Sequence, residues 1–325
     1  MDIARGPDIE FSVVSGSKEE LLTGCIQSVI DSMDHSPYSW LLTVTCNQPD
    51  TELGSRLKDR FPSIRIIENV APKGFAANHN VILQSSKARY VWILNDDLVL
   101  LPEAVDRTTR FLDDPANARV AVASPRLLNP DGSLQPSTYS FPSMPQILLA
   151  HSGLREKRFM ERVVKRAAPL LRKRPGSSRY WDHDRTLAVE TLRGACSAVR
   201  MEAVRDVGPM VEIALVGAEE TEWHRRLARR GWKVVFFHEA SVIHYGSQTV
   251  GEGASAHLPE YLKGALYYFR ADRPRVLYSL FCVGLLCVFG VRAGLAWAQR
   301  DRSAVSAARR YLDVTLNGLR GAAPG

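Results

Sequence analysis

The chain has 325 residues, of which 45% are hydrophobic and 24% are charged. These proportions lie close to globular averages, so they exclude a disordered, collagenous or coiled-coil chain. The formal net charge is +7, yet residues 155–179 hold ten basic and two acidic residues and contribute +8 by themselves. The rest of the chain is therefore nearly neutral.

Cysteine usage and the first residues indicate the compartment. The five cysteines are odd in number and lack the paired spacing of a disulfide framework or a structural zinc site: Cys25, Cys46, Cys196, Cys282 and Cys287. Residues 1–10 contain acidic residues and no apolar segment of the secretory type. We therefore expect the catalytic part to be cytoplasmic.

Short segments rich in β-branched and aromatic residues alternate with helical segments in the first half of the chain. The pattern predicts strands at Ile9–Val14, Trp40–Cys46, Ile64–Ile67, Tyr90–Asn95 and Val120–Ser124. It predicts helices at Glu19–Met33, Glu52–Phe61, Phe75–Ser86 and Glu103–Leu112. Such alternation predicts an α/β fold with a parallel sheet covered by helices, where ligands bind beyond the carboxyl ends of the strands.

The second half begins with a turn signal, Asn129-Pro130-Asp131-Gly132, which predicts a hairpin after the fifth strand. Residues 146–185 lack strand signals and are interpreted as an insertion. An extended pattern then returns around Gly194, followed by a short helix, an acidic segment and two further strands, Lys233–Phe237 and Ser241–His244.

The basic stretch 155–179 has apolar residues at helical spacing and predicts a basic amphipathic helix. Two interpretations remain open: a surface that meets anionic lipid, or a solvated charged helix face. No nucleic-acid recognition motif is present, so we expect no nucleic-acid partner.

An uncharged apolar run extends over Val276–Val291. Sixteen residues fall short of the roughly 20 that span a bilayer, although Arg292 could snorkel and lengthen the run. Spanning, re-entrant, interfacial and buried-core placements all remain open. Basic residues on both flanks favour a helix at a cytoplasmic membrane surface. We therefore predict a catalytic domain at 1–250, with the insertion at 146–185, and a helical membrane-associated region at 251–325.

The strand Tyr90–Asn95 is followed directly by two carboxylates, Asp96 and Asp97. Carboxylates at the end of a buried strand are costly unless they are paired or bound to metal. Asn95 and Asp97 lie two residues apart and can face the same side, and hard oxygen ligands suit Mg²⁺ or Mn²⁺ on a diphosphate. Asp and Asn are also common turn and cap residues, which is the structural alternative.

A second acidic cluster, Glu219 to Glu222, opens a helical pattern that ends at Gly231 with arginines in its last turn. Stabilisation of the helix dipole alone would explain this arrangement. The functional alternative is that one carboxylate acts as a general base. His244 ends the last predicted strand, where it could complete a metal site, hold a phosphate or simply form a structural hydrogen bond.

The order of these motifs resembles that of the inverting glycosyltransferase family 2, especially its bacterial rhamnosyltransferase-like members, over roughly residues 9–250. The resemblance is carried by residues 74–80, 91–97, 193–196, 217–227 and 231–234, by His244, and by the hairpin from Asn129 to Gln135. It implies the GT-A fold, a mostly parallel sheet with helices on both faces.

The resemblance also implies a dTDP- or UDP-linked sugar donor, a divalent metal and a single displacement with inversion. Asp97, helped by Asn95 or Asp96, would hold Mg²⁺ or Mn²⁺ on the donor diphosphate. His244 matches a histidine that some members use near the metal. Glu220, with Glu219 beside it, matches the acidic pair that supplies the catalytic base.

Other positions match residues that line the donor pocket. Gly74, Phe75 and Asn78 correspond to a loop and helix start, where backbone N–H groups can meet phosphate. Gly194 and Ala195 correspond to small residues near the sugar, and Asp96 is assigned to the donor as well.

Two departures from the family pattern stand out. Cys46 occupies the position of an aspartate that recognises the pyrimidine base, and a thiol cannot replace that carboxylate unless Asn47 or Asp50 takes over. Glu220 is one methylene longer than the usual aspartate, and a shift of about 1 Å could slow the chemistry a hundredfold.

These features predict a transferase that moves a hexose or deoxyhexose, such as rhamnose, to a polyprenyl-diphosphate-linked or oligosaccharide acceptor. We expect it at the cytoplasmic face of the plasma membrane. One alternative is an inactive relative that serves as a sugar-nucleotide-binding or assembly protein. A membrane-bound nucleotidyltransferase is a poorer alternative, because no glycine-rich phosphate loop follows the first strand.

Overall fold

The structure is a computed structural model that describes residues 6–16, 18–48, 52–152, 183–212, 219–246 and 258–320. The described residues form two compact units. The first takes its residues from 1–140, 179–212 and 220–252, and the second from 141–178, 213–219 and 253–325. The basic helix predicted within 155–179 and the domain boundary predicted at residue 250 lie outside the described residues.

The strands, in chain order, are β1 (Ile9–Val14), β2 (Trp40–Cys46), β3 (Arg65–Glu68), β4 (Tyr90–Asn95), β5 (Leu98–Leu100), β6 (Val120–Leu128), β7 (Thr138–Tyr139), β8 (Leu187–Val189), β9 (Thr191–Leu192), β10 (Cys196–Arg200) and β11 (Lys233–His244). The helices are α1 (Glu19–Met33), α2 (Leu53–Arg60), α3 (Phe75–Ser85), α4 (Ala104–Asp113), α5 (Met144–His151), α6 (Met201–Val207), α7 (Glu219–Arg229), α8 (Leu258–Arg270), α9 (Arg275–Ala298) and α10 (Arg302–Arg320).

The central sheet of the first unit has the order β3-β2-β1-β4-β10-β6-β11-β5, with β8 also paired to β11. Strands β3, β2, β1 and β4 are parallel neighbours, and β6 and β11 form another parallel pair. Strand β10 runs antiparallel between β4 and β6. The sheet is thus mainly parallel, as predicted, and it brings the carboxyl ends of β1, β2 and β4 to one edge.

Helices cover both faces of this sheet, and β4 shows why. Its alternate residues Tyr90, Trp92 and Leu94 pack into a core with α1, α2 and α4. The intervening Val91 and Ile93 pack into a second core with α3, α6 and α7. Because successive side chains of a strand point to opposite faces, a strand buried on both sides is apolar throughout.

Most predicted bounds in the first half are confirmed, including those of β1, β2, β4 and α1. The two strands predicted at 233–237 and 241–244 are a single strand, β11, with a register irregularity between Phe237 and Ser241. The predicted hairpin is confirmed by the bond from Asn129 N to Ser133 O at 2.8 Å, and Gly132 takes a φ of +80° that favours glycine.

The second unit is built from α5, α8, α9 and α10. Helix α9 buries apolar side chains, including Phe281, Leu285 and Phe289, among its neighbours. Other apolar residues of α9 form an exposed stripe at helical spacing: Val276, Leu280, Val283, Val291 and Leu295. At 24 residues the helix is about 36 Å long, and by its length and composition alone it is long and apolar enough to cross a bilayer.

Candidate active site

The carboxyl ends of β1, β2 and β4 are joined by hydrogen bonds. Ser15 Oγ, after β1, accepts from the backbone N–H of Asn47, after β2, at 2.9 Å. The next residue, Gly16, donates its N–H to Asp96 Oδ2 at 2.6 Å. Asn95 N–H donates to the carbonyl of Ala195 at 2.8 Å, which attaches the segment before β10 to the same edge.

Asn95, Asp97 and His244 form one group at this edge, which we call the acid–histidine cluster. His244 Nε2 lies 3.2 Å from Asp97 Oδ1 and 3.4 Å from Asn95 Nδ2. The antiparallel pairing of β11 with β5 brings His244 opposite Leu98 and so beside Asp97. The structure therefore brings together the three residues that the sequence analysis assigned to a metal.

The Asp97 carboxylate has an unsatisfied atom. Asp97 is only 2% exposed, and its Oδ1 accepts no hydrogen bond from the described residues, although His244 Nε2 lies 3.2 Å from it. A buried carboxylate oxygen without a donor is costly, whereas a divalent cation would satisfy it. An oxygen and an imidazole nitrogen at this separation fit Mg²⁺ or Mn²⁺.

Asp96 has a different environment from Asp97. It is 3% exposed, and its Oδ2 is held by the N–H of Gly16. Its carboxylate thus ties the loop after β1 to the end of β4. This contact gives Asp96 a positioning role in the geometry of the edge.

Glu220, in the first turn of α7, lies directly over Gly194. A Cβ atom built on Gly194 would be 1.9 Å from Glu220 Oε1. The resemblance placed Gly194 beside the sugar; the structure gives a further reason for a glycine there, because any side chain would displace the Glu220 carboxylate. Ala195 follows Gly194 and binds Asn95, so the two acidic segments predicted from the sequence converge.

The surroundings of Glu220 change the pKa of its carboxyl group. The residue keeps part of its surface exposed. Burial of the carboxyl group raises the pKa of Glu220 above its ordinary value, while a backbone hydrogen bond and the nearby Arg193 guanidinium act in the opposite direction. Arg193 itself is held by a 2.8 Å bond from Nη2 to the Tyr139 hydroxyl. A carboxylate with a raised pKa, on a residue that is still partly exposed, is suited to accept a proton from an acceptor hydroxyl.

The other two glutamates of the acidic segment are arranged differently. Glu219 is fully buried. Glu222 forms an ion pair with Arg226 at 2.8 Å, and the same guanidinium donates to the carbonyls of Val207 and Pro209. The structure thus gives Glu222 a structural role, an ion pair within α7.

His224 was not singled out by the sequence analysis. It lies one turn after Glu220, and its Nδ1 is 2.9 Å from Thr191 Oγ1 and accepts weakly from the N–H of Leu192 at 3.5 Å. Burial lowers the pKa of His224 to about 3, so the ring is neutral. His224 thus ties α7 to β9, directly before Gly194. Its position at helical spacing from Glu220 was the available signal.

Asn78, one of the residues predicted to line the donor pocket, belongs to a second group at the same edge, the asparagine cluster of Asn47, Asn69 and Asn78. Asn47 Oδ1 accepts from Asn69 Nδ2, Asn78 Nδ2 and Lys73 N at 2.9–3.1 Å. Asn78 Nδ2 also donates to the carbonyl of Gly74, the residue before α3, at 3.0 Å. These amides are engaged within the protein, so they fix the loop between β3 and α3.

Phe75 and Cys46 lie near the asparagine cluster, and both are engaged within the protein. The Phe75 ring packs on His79, with centroids 4.6 Å apart. Cys46 is 1% exposed and belongs to the apolar core, so its thiol is not available to a nucleotide base. Asn47, one of the two proposed substitutes for the missing aspartate, is occupied by the asparagine cluster, and Asp50 lies outside the described residues.

Similar proteins are known. The family model described as glycosyltransferase like family 2 matches residues 7–261. The N-acetylglucosaminyl-diphospho-decaprenol L-rhamnosyltransferase of Mycobacterium tuberculosis is 26% identical over 229 residues, which are 66% of this chain and 69% of that protein.

Two solved structures share the fold. The mannosyltransferase PcManGT from Pyrobaculum calidifontis, in complex with GDP-Man and Mn²⁺, has a TM-score of 0.51 at 12% identity and covers 97% of this chain and 87% of its own. GalNAc-T7 with UDP, GalNAc and Mn²⁺ has a TM-score of 0.51 at 13% identity over 83% of this chain. The chain spans about half the length of GalNAc-T7, 52%.

The mainly parallel sheet, the helices on both faces and these solved structures agree on the GT-A fold. The family match over residues 7–261 covers well over half of the sequence. The chain therefore belongs to glycosyltransferase family 2.

Proposed function

We propose that this glycosyltransferase moves a sugar from a nucleotide-diphosphate donor to a lipid-linked or cell-surface glycan acceptor, with inversion at the anomeric carbon. The observation that carries the proposal is the link between Glu220 and the Asp97–His244 pair through Gly194, Ala195 and Asn95. The name of the rhamnosyltransferase relative supports rhamnose, a deoxyhexose, as the sugar and a polyprenyl-diphosphate-linked acceptor. A dTDP- or UDP-linked donor is part of the same proposal.

Asp97 and His244, with Asn95 beside them, would hold Mg²⁺ or Mn²⁺. The unsatisfied Asp97 Oδ1 and the oxygen and nitrogen donor set support this assignment. When bound, the cation would act as a Lewis acid that stabilises the diphosphate leaving group. Asp96, held by Gly16, would keep the loop after β1 in place around the donor.

Glu220 would act as the general base. Its carboxylate accepts the proton of the acceptor hydroxyl as that oxygen attacks the anomeric carbon from the face opposite the diphosphate. The new glycosidic C–O bond forms while the bond to the diphosphate oxygen breaks, and the nucleoside diphosphate departs with the bonding electrons. Burial raises the pKa of Glu220 and so makes it a stronger base, while the nearby Arg193 guanidinium acts in the opposite direction and favours the ionised form.

Helix α9 would attach the protein to the cytoplasmic face of the plasma membrane. Its exposed stripe includes Val276, Leu280 and Val291, which are 63–73% exposed. An apolar stripe of this length on a helix is stabilised by contact with lipid. Close association with the bilayer would raise the local concentration of a polyprenyl-linked acceptor.

Replacing Leu280 and Val283 together by Glu tests this attachment. We expect the variant to move from the membrane fraction to the soluble fraction. The double variant Ser303→Glu with Ser306→Glu, on exposed positions of α10, adds the same charge and should stay with the membrane. Equal behaviour of the two variants would contradict the role of the stripe.

An inactive relative that binds sugar nucleotides is the second candidate. The observation that favours it is the burial of Cys46 at the position where the family carries the base-recognising aspartate. This candidate predicts that the wild-type protein binds donors and forms no product with any acceptor.

Transfer assays with Mn²⁺ and polyprenyl-diphosphate acceptors distinguish the two candidates. We expect product with wild type, and a kcat about 10²–10⁴-fold lower with Glu220→Gln, at unchanged Mn²⁺ affinity. Glu222→Gln, on the same helix, serves as the control and should retain transfer. A normal kcat for Glu220→Gln would require a different base.

A further inference from the structure

The turn that follows β6 contains a chain of side-chain hydrogen bonds that ends at the acid–histidine cluster. Ser133 Oγ lies 2.6 Å from Asp131 Oδ1, and Asn129 Nδ2 lies 2.9 Å from Ser133 Oγ. Gln135 Nε2 lies 3.0 Å from Asn129 Oδ1, and Gln135 Oε1 lies 2.6 Å from His244 Nδ1. The segment that the sequence analysis identified as a turn therefore contacts the back of the His244 ring.

The donor and the acceptor of each hydrogen bond in this series can be assigned, starting from Asp131. The hydroxyl and backbone N–H of Ser133 lower the pKa of Asp131, which is ionised and can only accept. Ser133 therefore donates to Asp131 and accepts from the Asn129 amide. The Asn129 oxygen then accepts from the Gln135 amide, and the Gln135 oxygen is left to accept from His244.

A second contact supports this orientation of Gln135. Its Nε2 also lies 3.5 Å from the backbone carbonyl of His244, which can only accept. Reversing the amide would place two oxygens against each other at both Asn129 and His244. The geometry thus puts the ring hydrogen of a neutral His244 on Nδ1 and leaves a lone pair on Nε2.

That lone pair faces the unsatisfied oxygen of Asp97 at 3.2 Å. Two electron-rich atoms at this distance favour a cation between them. The opposite tautomer would place a hydrogen between Nε2 and Asp97 and block coordination. Protein ligands to metals commonly have their orientation and tautomer fixed by such an outer partner.

We propose that Gln135 is a positioning residue that holds His244 in its Nδ1–H tautomer and thereby sets the affinity of the Asp97–His244 pair for a divalent cation. The proposal rests on the metal site of the proposed function. It gives the Asn129–Gln135 turn a role beyond reversing the chain. Gln135 acts through His244 and need not contact the donor.

The tautomer can be measured without any metal. Protein labelled with ¹⁵N-histidine is studied by two-bond ¹H–¹⁵N NMR at pH 8, where an ordinary imidazole is neutral, and His244→Gln assigns the signal. We expect the Nδ1–H tautomer in the wild type and in Gln135→Glu, whose carboxylate keeps an acceptor for Nδ1 although it loses the amide hydrogens that bond Asn129 and the His244 carbonyl. We expect a shift toward Nε2–H in Gln135→Met, which has a similar length and no acceptor.

Mn²⁺ affinity of the same proteins, measured by electron paramagnetic resonance of free Mn²⁺, gives the second readout. We expect about 10–100-fold weaker binding for Gln135→Met and wild-type binding for Gln135→Glu. Asn129→Ala, one step further from the ring, should show a smaller loss and provides a test if Gln135→Met fails to fold.

Three results would overturn the proposal. The first is an Nε2–H tautomer in the wild type, and the second is an unchanged tautomer and affinity in folded Gln135→Met. The third is equal weakening by Gln135→Met and Gln135→Glu. A wild type with the Nδ1–H tautomer and no Mn²⁺ affinity would instead refute the metal site of the proposed function and leave the tautomer assignment intact.

Discussion

The asparagine cluster and the acid–histidine cluster lie at the same edge of the sheet, yet they differ in how their polar atoms are satisfied. Asn47 Oδ1 accepts three hydrogen bonds, and its Nδ2 donates to the Lys73 carbonyl at 3.1 Å. Asp97 Oδ1 accepts none from the described residues and lies 3.2 Å from His244 Nε2. The first cluster is complete by itself, whereas the second is complete only with a cation or a proton.

This difference separates scaffold from site. A network of amides that bond to one another and to the backbone rigidifies the loop that contains it. A buried carboxylate oxygen without a donor costs stability, and such a cost is typical of ligand-binding positions. The sequence analysis assigned Asn78 to the donor pocket and Asp97 to the metal; the hydrogen bonds of Asn78 instead make it part of the scaffold.

Asp97→Asn is expected to have the largest effect on this comparison. We expect Mn²⁺ affinity to fall at least about 100-fold and kcat/KM for transfer to fall about 1,000-fold, because the anionic ligand is lost. The free energy of unfolding should not fall, since a neutral amide replaces an uncompensated charge. Calorimetric titration measures the Mn²⁺ affinity, and urea unfolding measures the free energy of unfolding. Retained Mn²⁺ binding would contradict the assignment.

Gly194→Ala should produce the next largest effect. The new Cβ would meet Glu220 Oε1 at 1.9 Å and displace the carboxylate, which should lower kcat about 100-fold. Mn²⁺ affinity should stay unchanged, because the cluster around Asp97 is untouched. Gly24→Ala, where a Cβ meets no atom within 4 Å, is the matched control. Equal kcat values for the two variants would show that Glu220 does not depend on this glycine.

Asn47→Ala tests the complete cluster. We expect the free energy of unfolding to fall by about 3 kcal/mol, because Lys73 N–H and the amides of Asn69 and Asn78 lose their shared acceptor. Mn²⁺ affinity should remain that of the wild type. Urea unfolding with a parallel Mn²⁺ titration measures both. Unchanged stability with weakened Mn²⁺ binding would reverse the roles of the two clusters.

The pH dependence of stability gives the smallest expected effect. Burial lowers the pKa of His79 and of His224 to about 3, from 6.5 in the unfolded chain. As the pH falls, the histidines of the unfolded chain take up protons before the buried rings do. The stability that the two neutral rings contribute is therefore present above pH 6.5 and is lost as the pH falls toward 3. Between pH 7 and pH 5 each ring should lower the free energy of unfolding by about 2 kcal/mol.

His79→Gln should therefore lose less stability than the wild type over the same interval. His79 is part of the scaffold, since its Nδ1 lies 2.8 Å from the Ser12 hydroxyl. Urea unfolding at pH 7 and pH 5 measures the difference between the two proteins. An identical pH slope would show that His79 is not buried as a neutral ring.

Local sequence patterns were sufficient for most of the first half of the fold. The predicted bounds of β1, β4 and α1 are confirmed because their apolar periodicity is unbroken. The continuity of β11 was not predictable, since His238 and Glu239 interrupt the apolar pattern and the pairing with β6 resumes only at Ser241, after a register irregularity. Register is a property of the partner strand, which the sequence of one strand does not contain.

The candidate site was predictable in part, because some of its residues lie at the ends of predicted strands. Asp97 and His244 follow or end strands, and strand ends meet at one edge, so their proximity could be expected. The contact of Gly194 with Glu220 depends on how α7 packs against β9, to which His224 is bonded, and no local pattern encodes that packing. The role of Gln135 depends on the direction of hydrogen bonds across the fold.

The central claim is that Asp97 and His244 bind the catalytic cation. Crystals grown with Mn²⁺ and a nucleoside diphosphate, measured at the manganese absorption edge, test it most directly. We predict one anomalous difference peak between Asp97 Oδ1 and His244 Nε2, in contact with the diphosphate. A bound diphosphate with its manganese peak away from both side chains would contradict the account.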